Sequence, residues 1–397
     1  MSLTRKFVIP SLLLASLFVL GVWQDHLSNE SVAQNGRSVP RFEVDPFWPQ
    51  PLPNHWVMGN TIGIGIDERD HIFIVHRDTD DVFHSQELLL DRGFASCCTA
   101  APPVLEFDQD GRLVNAWGGP SPSGEYEWPA SNHGLEVAPN GDIWIGGNGG
   151  GDSHVVVFTR DGQYVRTIGE PGNGVDSNSD FHYSRVAEIA IDPGASEAYL
   201  ADGYGNKRVA VVDLATGALK RFWGAYGNTP DDDADDSYTP GEPLPQQFRG
   251  PVHCAEPSND GLVYVCDRGA DRIQVFRPDG TFVKEGQVMP QTLGSGSTWD
   301  ISFSPDEDQE FIYLADGSNM QVHILDRESL EHLYSFGDGG RMPGLFFGTH
   351  SIATDSDGNI YTTETYEGKR TQKFVFQGMT SLSQIRDGAP WPSSSRL

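Results

Sequence analysis

Residues 249–286 alternate short apolar runs with turn residues: RGPVHCAEPSNDGLVYVCDRGADRIQVFRPDGTFVKEG. The alternation predicts an inner strand carrying His253, a turn at 258–261, a strand over 262–266, a Gly-Ala break, a strand over 272–276, a turn at Pro278-Asp279-Gly280 and a last strand over 281–284. A sheet of that size cannot bury its own faces. The same pattern recurs at Asn140-Gly141 with Asp161-Gly162, at Thr216-Gly217 and at Asp357-Gly358, so the unit is a repeat that stacks on its neighbours.

In chain order, a Pro-rich entry (47–53) leads to a first repeat near Gly59, whose third strand is delayed by an insertion over 79–103. The second repeat spans 133–169. The third, VAEIAIDPGASEAYLADGYGNKRVAVVDLATGALKRFWG, is followed by an acidic excursion over 229–245 containing DDDADD, read as a solvated loop rather than a calcium site. The fifth spans 299–337, and the sixth starts at His350 and stops one strand short. Six repeats of about forty residues, each a four-stranded antiparallel sheet, predict an all-β fold, a six-bladed β-propeller over 40–378. Arg41–Asp45 (RFEVD) alternates correctly to supply the missing outer strand and close the ring. The Ser- and Pro-rich tail from Met379 to Leu397 is expected to be disordered.

Composition agrees: 397 residues hold 45 Gly and 26 Pro. The 27 Lys plus Arg stand against 56 Asp plus Glu, a net charge of -29 that argues against nucleic acid or an anionic membrane as partner. MSLTRK and the apolar run from Phe7 to Trp23 read as an export signal over 1–33, with Ser31-Val32-Ala33 as cleavage site, or as an uncleaved anchor, the one route to membrane attachment. The expected location is secreted or periplasmic, where disulfides are allowed. Cys254 and Cys266 flank their turn symmetrically and can bridge; the adjacent Cys97-Cys98 could be a vicinal disulfide, soft metal ligands or two buried thiols.

Repeats share core positions, so chemistry belongs where equivalent positions carry unusual polar residues. Eight residues before the first turn glycine stand His133, His253 and His350, in blades two, four and six. The equivalent places in the odd blades fall near Gly63, at Ala187 or Glu188, and at Trp299 or Asp300. Inner strands line the central channel, so three imidazoles from alternate blades converge on the axis, the ligand set of a catalytic zinc with an open position. A second ring follows each blade's second strand: His76-Arg77-Asp78, Asp202-Gly203-Tyr204, Asp267-Arg268, Asp316 and Glu364. Asp316 is read as a turn cap. Arg77, Arg268 and Tyr204 beside three His suggest an anionic substrate and a proton acceptor.

The repeats resemble NHL repeats. The stretches IFIVHR, NHGLEV, LADGYGN, VHCAEP, CDRGADRIQVF and THSIATDSDGNIY resemble the lyase domain of peptidylglycine α-amidating enzymes, over residues 59–378. That family releases glyoxylate from a peptidyl-α-hydroxyglycine and leaves a C-terminal amide. The resemblance implies zinc on His133, His253 and His350, a substrate-engaging Arg77, a catalytic Tyr204, and Arg268 and Asp202 as further substrate-binding residues. It also implies a structural calcium on the backbone of Ile64 and Leu135. The family's methionine two residues before the last zinc histidine is Gly348 here, and its calcium-binding aspartate directly after that histidine is Ser351. The family's two disulfides have no positional match. A carboxylate-bearing small molecule or peptide is the expected substrate, made by a separate hydroxylating enzyme. A metal-dependent hydrolase or lactonase on the same site, and a non-catalytic binding propeller, are the alternative readings.

Overall fold

Strands whose two faces both pack against neighbours should be apolar throughout, and strands at a rim should alternate. Ile72–His76 and Val263–Asp267 are buried at every position, whereas Leu113–Trp117 and Phe282–Gln287 are only partly covered. These are second and fourth strands of sheets in which each successive strand lies further from the axis. The structure, a computed structural model, describes residues 36–77, 97–172 and 174–392. Six four-stranded antiparallel sheets make the six blades of a propeller. Their inner strands are Thr61–Ile66, Asn132–Val137, Val186–Asp192, Val252–Pro257, Asp300–Phe303 and Thr349–Thr354.

The hydrophobic core lies between blades. Val209, Val211 and Trp223 of blade three pack with Ala255, Val263, Val265 and Phe276 of blade four. Tyr264, Ile273 and Val275 of blade four in turn pack with Ile301, Ile312 and Leu314 of blade five. Each such side chain contributes about 1.5–3 kcal/mol when fully buried. Cys254 and Cys266 face one another in the cross-strand register and are joined by a disulfide, with Cα atoms 4.9 Å apart. Cys97 and Cys98 are joined as a vicinal disulfide, which decides among the three states their sequence allows.

Ring closure follows the sequence expectation: Ser38–Asp45 is the outer strand of blade six, in the order Ser38–Asp45, Arg370–Ser381, Ile360–Glu364, Thr349–Thr354. Phe42 and Val44 are buried, and the Phe42 ring meets Tyr313, Phe336 and Phe376 at 5.4, 5.6 and 6.0 Å. The chain forms two compact units, and the propeller is the unit comprising 42–376 with the stretch from Asp387. The smaller unit comprises the described residues up to Arg41 and residues 377–386, with the Leu382 amide donating to the Arg37 carbonyl at 2.8 Å.

Residues 379–392 of the tail depart from the expected disorder. Arg370–Ser381 continues past Gly378, Leu382–Gln384 forms a 3-10 turn, Gly388 bridges Gly337, and the Pro390 carbonyl accepts from the Val44 amide at 2.7 Å. Its backbone finds strand partners, which a count of Ser and Pro does not register. The export segment 1–33 and residues 79–96 of the insertion lie outside the described residues, as does Asp78. No helix among the described residues is long and apolar enough to cross a membrane. In the acidic loop, Asp232 accepts from the Ser177 amide at 3.0 Å and Asp236 pairs with Lys207 at 2.7 Å, while Asp231, Asp233 and Asp235 are exposed or hold only local turns.

Candidate functional site

The three histidines sit where their strands break register. Pairing with the second strand is interrupted between Asn132 and Leu135, between Val252 and Cys254, and between Thr349 and Ile352. A bulge leaves residues unpaired and re-aims their side chains, and His133, His253 and His350 lie within these interruptions. Their ring centroids are 5.2, 4.6 and 5.0 Å apart, and one nitrogen from each comes within 4.8 Å of the others.

Each imidazole leans on the blade that follows it. His133 Nδ1 donates to the Ala187 carbonyl at 2.6 Å, His350 Nδ1 to the Ile62 carbonyl at 3.1 Å, and His253 Nδ1 to the Trp299 carbonyl. A carbonyl only accepts, so the proton is on Nδ1 and each Nε2 presents a lone pair. Such outer hydrogen bonds fix the tautomer and ring angle of metal-binding histidines. Burial holds all three well below the usual imidazole range. The like charge of the cluster and the Arg77 and Arg268 guanidiniums act the same way, so the rings stay neutral as metal ligands must.

Tyr204 reaches over this cluster. Its oxygen lies 3.1 Å from His133 Nε2 and 3.1 Å from His253 Nε2, and accepts from Arg268 Nη1 at 2.9 Å. Gly203 permits the approach, because a Cβ there would stand 2.1 Å from the Val252 carbonyl oxygen. Arg77 enters from blade one, donating from Nη2 to Asn148 Oδ1 at 2.9 Å and from Nε to the Asn132 carbonyl at 3.3 Å. Burial lowers its pKa, and Tyr204 is near enough to act on it in the opposite sense. Blade two contributed nothing to the second ring read from sequence, and Asn148 fills that place. Its signal was positional: it follows Ile143–Gly147, the second strand of its blade.

No protein-family model matches the chain. Among curated proteins it is 25% identical over 340 residues to peptidyl-glycine alpha-amidating monooxygenase B of Xenopus laevis, covering 82% of this chain and 34% of that protein. It is 23% identical over 359 residues to NHL repeat-containing protein 3 of Mus musculus, covering 89% and 86% of the two chains. It is 22% identical over 319 residues to a probable peptidyl-alpha-hydroxyglycine alpha-amidating lyase of Caenorhabditis elegans, covering 77% and 80%. The chain thus spans about a third of the length of the Xenopus relative. Among solved structures a streptogramin B lyase superposes with a TM-score of 0.51 at 14% identity, covering 85% of this chain and 98% of that one, a likeness of fold.

The chain is a six-bladed propeller that resembles the amidating lyases and NHL-repeat proteins.

Not every residue singled out by that resemblance reaches the cluster. Asp202 is fully buried, and its carboxylate is consumed within blade three, accepting from Arg208 Nε at 2.8 Å, the Ser184 amide at 2.7 Å and Asn206 Nδ2 at 2.7 Å. It braces the turn that carries Tyr204 instead of facing a substrate. Asp267 with Arg272 and Glu364 with Arg370 repeat that brace in blades four and six. Asp316 caps its turn, accepting from the Ser318 and Asn319 amides at 3.0 and 2.9 Å, as expected.

Ile64 and Leu135 lie on the inner strands of blades one and two with buried side chains. Calcium takes six to eight oxygen ligands, carboxylates prominent among them. The Ser351 hydroxyl that replaces the carboxylate is 3.1 Å from His350 Nδ1, so these residues do not fit a calcium ion. The Gly348 amide donates to Met320 Sδ at 2.9 Å, so a thioether from a loop of blade five meets the position where the resemblance implied a methionine. Glu188 and Asp300, named from sequence only as odd-blade positions, form an acidic group with Glu256, which sequence reading did not single out. Burial and mutual repulsion raise Glu188 well above the carboxylate range, and burial raises Glu256 to about 8 and Asp300 to about 6.

Proposed function

We propose that the chain is a zinc-dependent lyase that cleaves the N–C bond of a carboxylate-bearing carbinolamide of the peptidyl-α-hydroxyglycine type, giving an amide and glyoxylate. One observation carries the reading: a phenol oxygen lies within 3.1 Å of two of three converging imidazole nitrogens and 2.9 Å from a guanidinium. His133, His253 and His350 would hold the zinc, which when bound supplies Lewis acidity to a substrate oxygen. Neutral imidazoles with inward Nε2 lone pairs fit that ion.

The chain's own groups perform the rest. Arg77 and Arg268 form no ion pair with an acidic side chain among the described residues, whereas Arg208, Arg272 and Arg370 all do. A guanidinium with no carboxylate partner among the described residues, buried for Arg268 and half-buried for Arg77, favours an anionic ligand. Arg77 orients the substrate carboxylate. The Tyr204 oxygen, as phenolate, takes the substrate hydroxyl proton while Arg268 stabilises the charge on that oxygen. As that proton leaves, the carbinol C–O bond becomes the aldehyde C=O of glyoxylate. The N–C electron pair goes to the amide nitrogen, which is then protonated, so no net proton is gained or lost.

The proposal also takes the N-terminal apolar run as an export signal, and it needs a separate hydroxylating enzyme to make the substrate. It is tested with α-hydroxyhippurate as probe: the purified protein should release glyoxylate and benzamide in equal amounts. Turnover of esters or lactones without glyoxylate would replace the lyase reading with a hydrolase.

A further inference from the structure

The odd blades all present a carbonyl to the even-blade histidines, but they differ in side chain. Ile62, Ala187 and Trp299 supply the acceptors for His350, His133 and His253. Ala187 shows that the duty requires no large side chain. The indole at the third position, 2% exposed, therefore serves something else.

Its surroundings identify what. The Arg268 guanidinium carbon lies 4.4 Å from the Trp299 ring centroid and 5.3 Å from that of Tyr204. Arg268 Nη1 donates to the Tyr204 oxygen, while Arg268 Nε is buried and has no hydrogen-bond partner among the described residues. Hydrogen bonding alone therefore leaves the guanidinium under-held, and the aromatic faces supply the remaining restraint. Trp299 is itself fixed from several sides. Its Nε1 donates to the Gly296 carbonyl at 2.8 Å, which also accepts from Ser318 Oγ at 2.6 Å. A Cβ on Gly317 would stand 2.9 Å from the indole, and a Cβ on Gly296 would stand 1.7 Å from the Arg268 carbonyl oxygen, so both glycines let the loops close on this ring. The indole also touches His253 and His350, with centroids at 5.9 and 5.6 Å.

We infer that Trp299 is a positioning residue that holds the Arg268 guanidinium against the Tyr204 oxygen. Its effect on turnover rests on the lyase reading; its grip on Arg268 does not. The test uses the full chain with Trp299→Phe, Trp299→Leu, Arg268→Ala and the double variant Trp299→Leu/Arg268→Ala. Metal content, kcat, KM and urea midpoint are measured for each. Because a misplaced catalytic group costs up to about a hundredfold, Trp299→Leu should lose about ten- to a hundredfold in kcat with KM within about threefold of the parent. Its metal content should be unchanged, since the backbone carbonyl to His253 remains. Trp299→Phe, which keeps an aromatic face, should recover most of the loss. The double variant should turn over no more slowly than Arg268→Ala, because coupled residues are non-additive.

Parental kcat in Trp299→Leu, or losses that multiply in the double variant, would overturn the inference. If Trp299→Leu fails to fold, Trp299→Met, which also removes the aromatic face, paired with Arg268→Ala carries the same comparison. If the parent binds metal but releases no glyoxylate, the lyase reading fails and the urea midpoints decide: non-additive shifts support the grip on Arg268, and additive shifts overturn it.

Discussion

At the scale of the residue, Tyr204 and Arg77 should fail in different ways. Tyr204→Phe removes the proton acceptor but leaves the three imidazoles and their carbonyl partners intact. With metal content unchanged, glyoxylate release should fall by about two to four powers of ten. Arg77→Ala should lower kcat and raise KM together, because the carboxylate it orients contributes to both. Steady-state kinetics on α-hydroxyhippurate check both, and full activity in Tyr204→Phe would hand the proton to another group. The histidines were legible in the sequence because a repeat puts equivalent residues at equal distances from a turn glycine. The substrate-binding role of Asp202 was implied by the resemblance, and a matching motif does not reveal that Arg208 has claimed the carboxylate. Trp299 was legible only as a place, since its partner Arg268 arrives on a loop of another blade.

At the scale of the element, the strand Ser38–Asp45 is a non-local closure whose role depends on Phe42 and Val44. Deleting residues through Asp45 removes at least three buried apolar side chains, Val39, Phe42 and Val44, worth about 1.5–3 kcal/mol each, and exposes the edge of Arg370–Ser381. Its melting temperature should fall at least about 5–10 °C below that of a deletion through Ala33. Differential scanning calorimetry of the two truncations checks it, and equal melting temperatures would remove the closure from the account. The strands themselves were legible from alternation, down to the cross-strand pair Cys254 and Cys266. The bulges at the histidines were not, because nothing in NHGLEV, VHCAEP or THSIAT marks an unpaired residue; the contact with the next blade selects it. The structure of residues 379–392 was missed for a related reason, since Gly388 and Pro390 meet Gly337 and Val44 from far away in sequence.

At the scale of the whole molecule, the ring brings Glu188, Glu256 and Asp300 together from three consecutive blades. Their pKa values are raised in the folded protein, so the folded state holds protons that the unfolded chain releases near pH 4.5. Their contribution is therefore most favourable below that pH and is lost as pH rises, for Glu256 through about 8. The Glu256→Gln variant cannot ionise there, so its melting temperature relative to the parent should rise steadily between pH 5 and pH 8. A pH-independent difference between the two would mean that these carboxyls are not buried together.

At the axis, three blades bring three neutral imidazoles together. Elemental analysis of the purified protein, before and after chelation and alongside the variant His133→Ala/His253→Ala/His350→Ala, tests that arrangement as a metal site most directly. About one transition-metal ion per chain is expected, removed by chelation, restored by added zinc and absent from the triple variant. The same metal content in the triple variant as in the parent would contradict it.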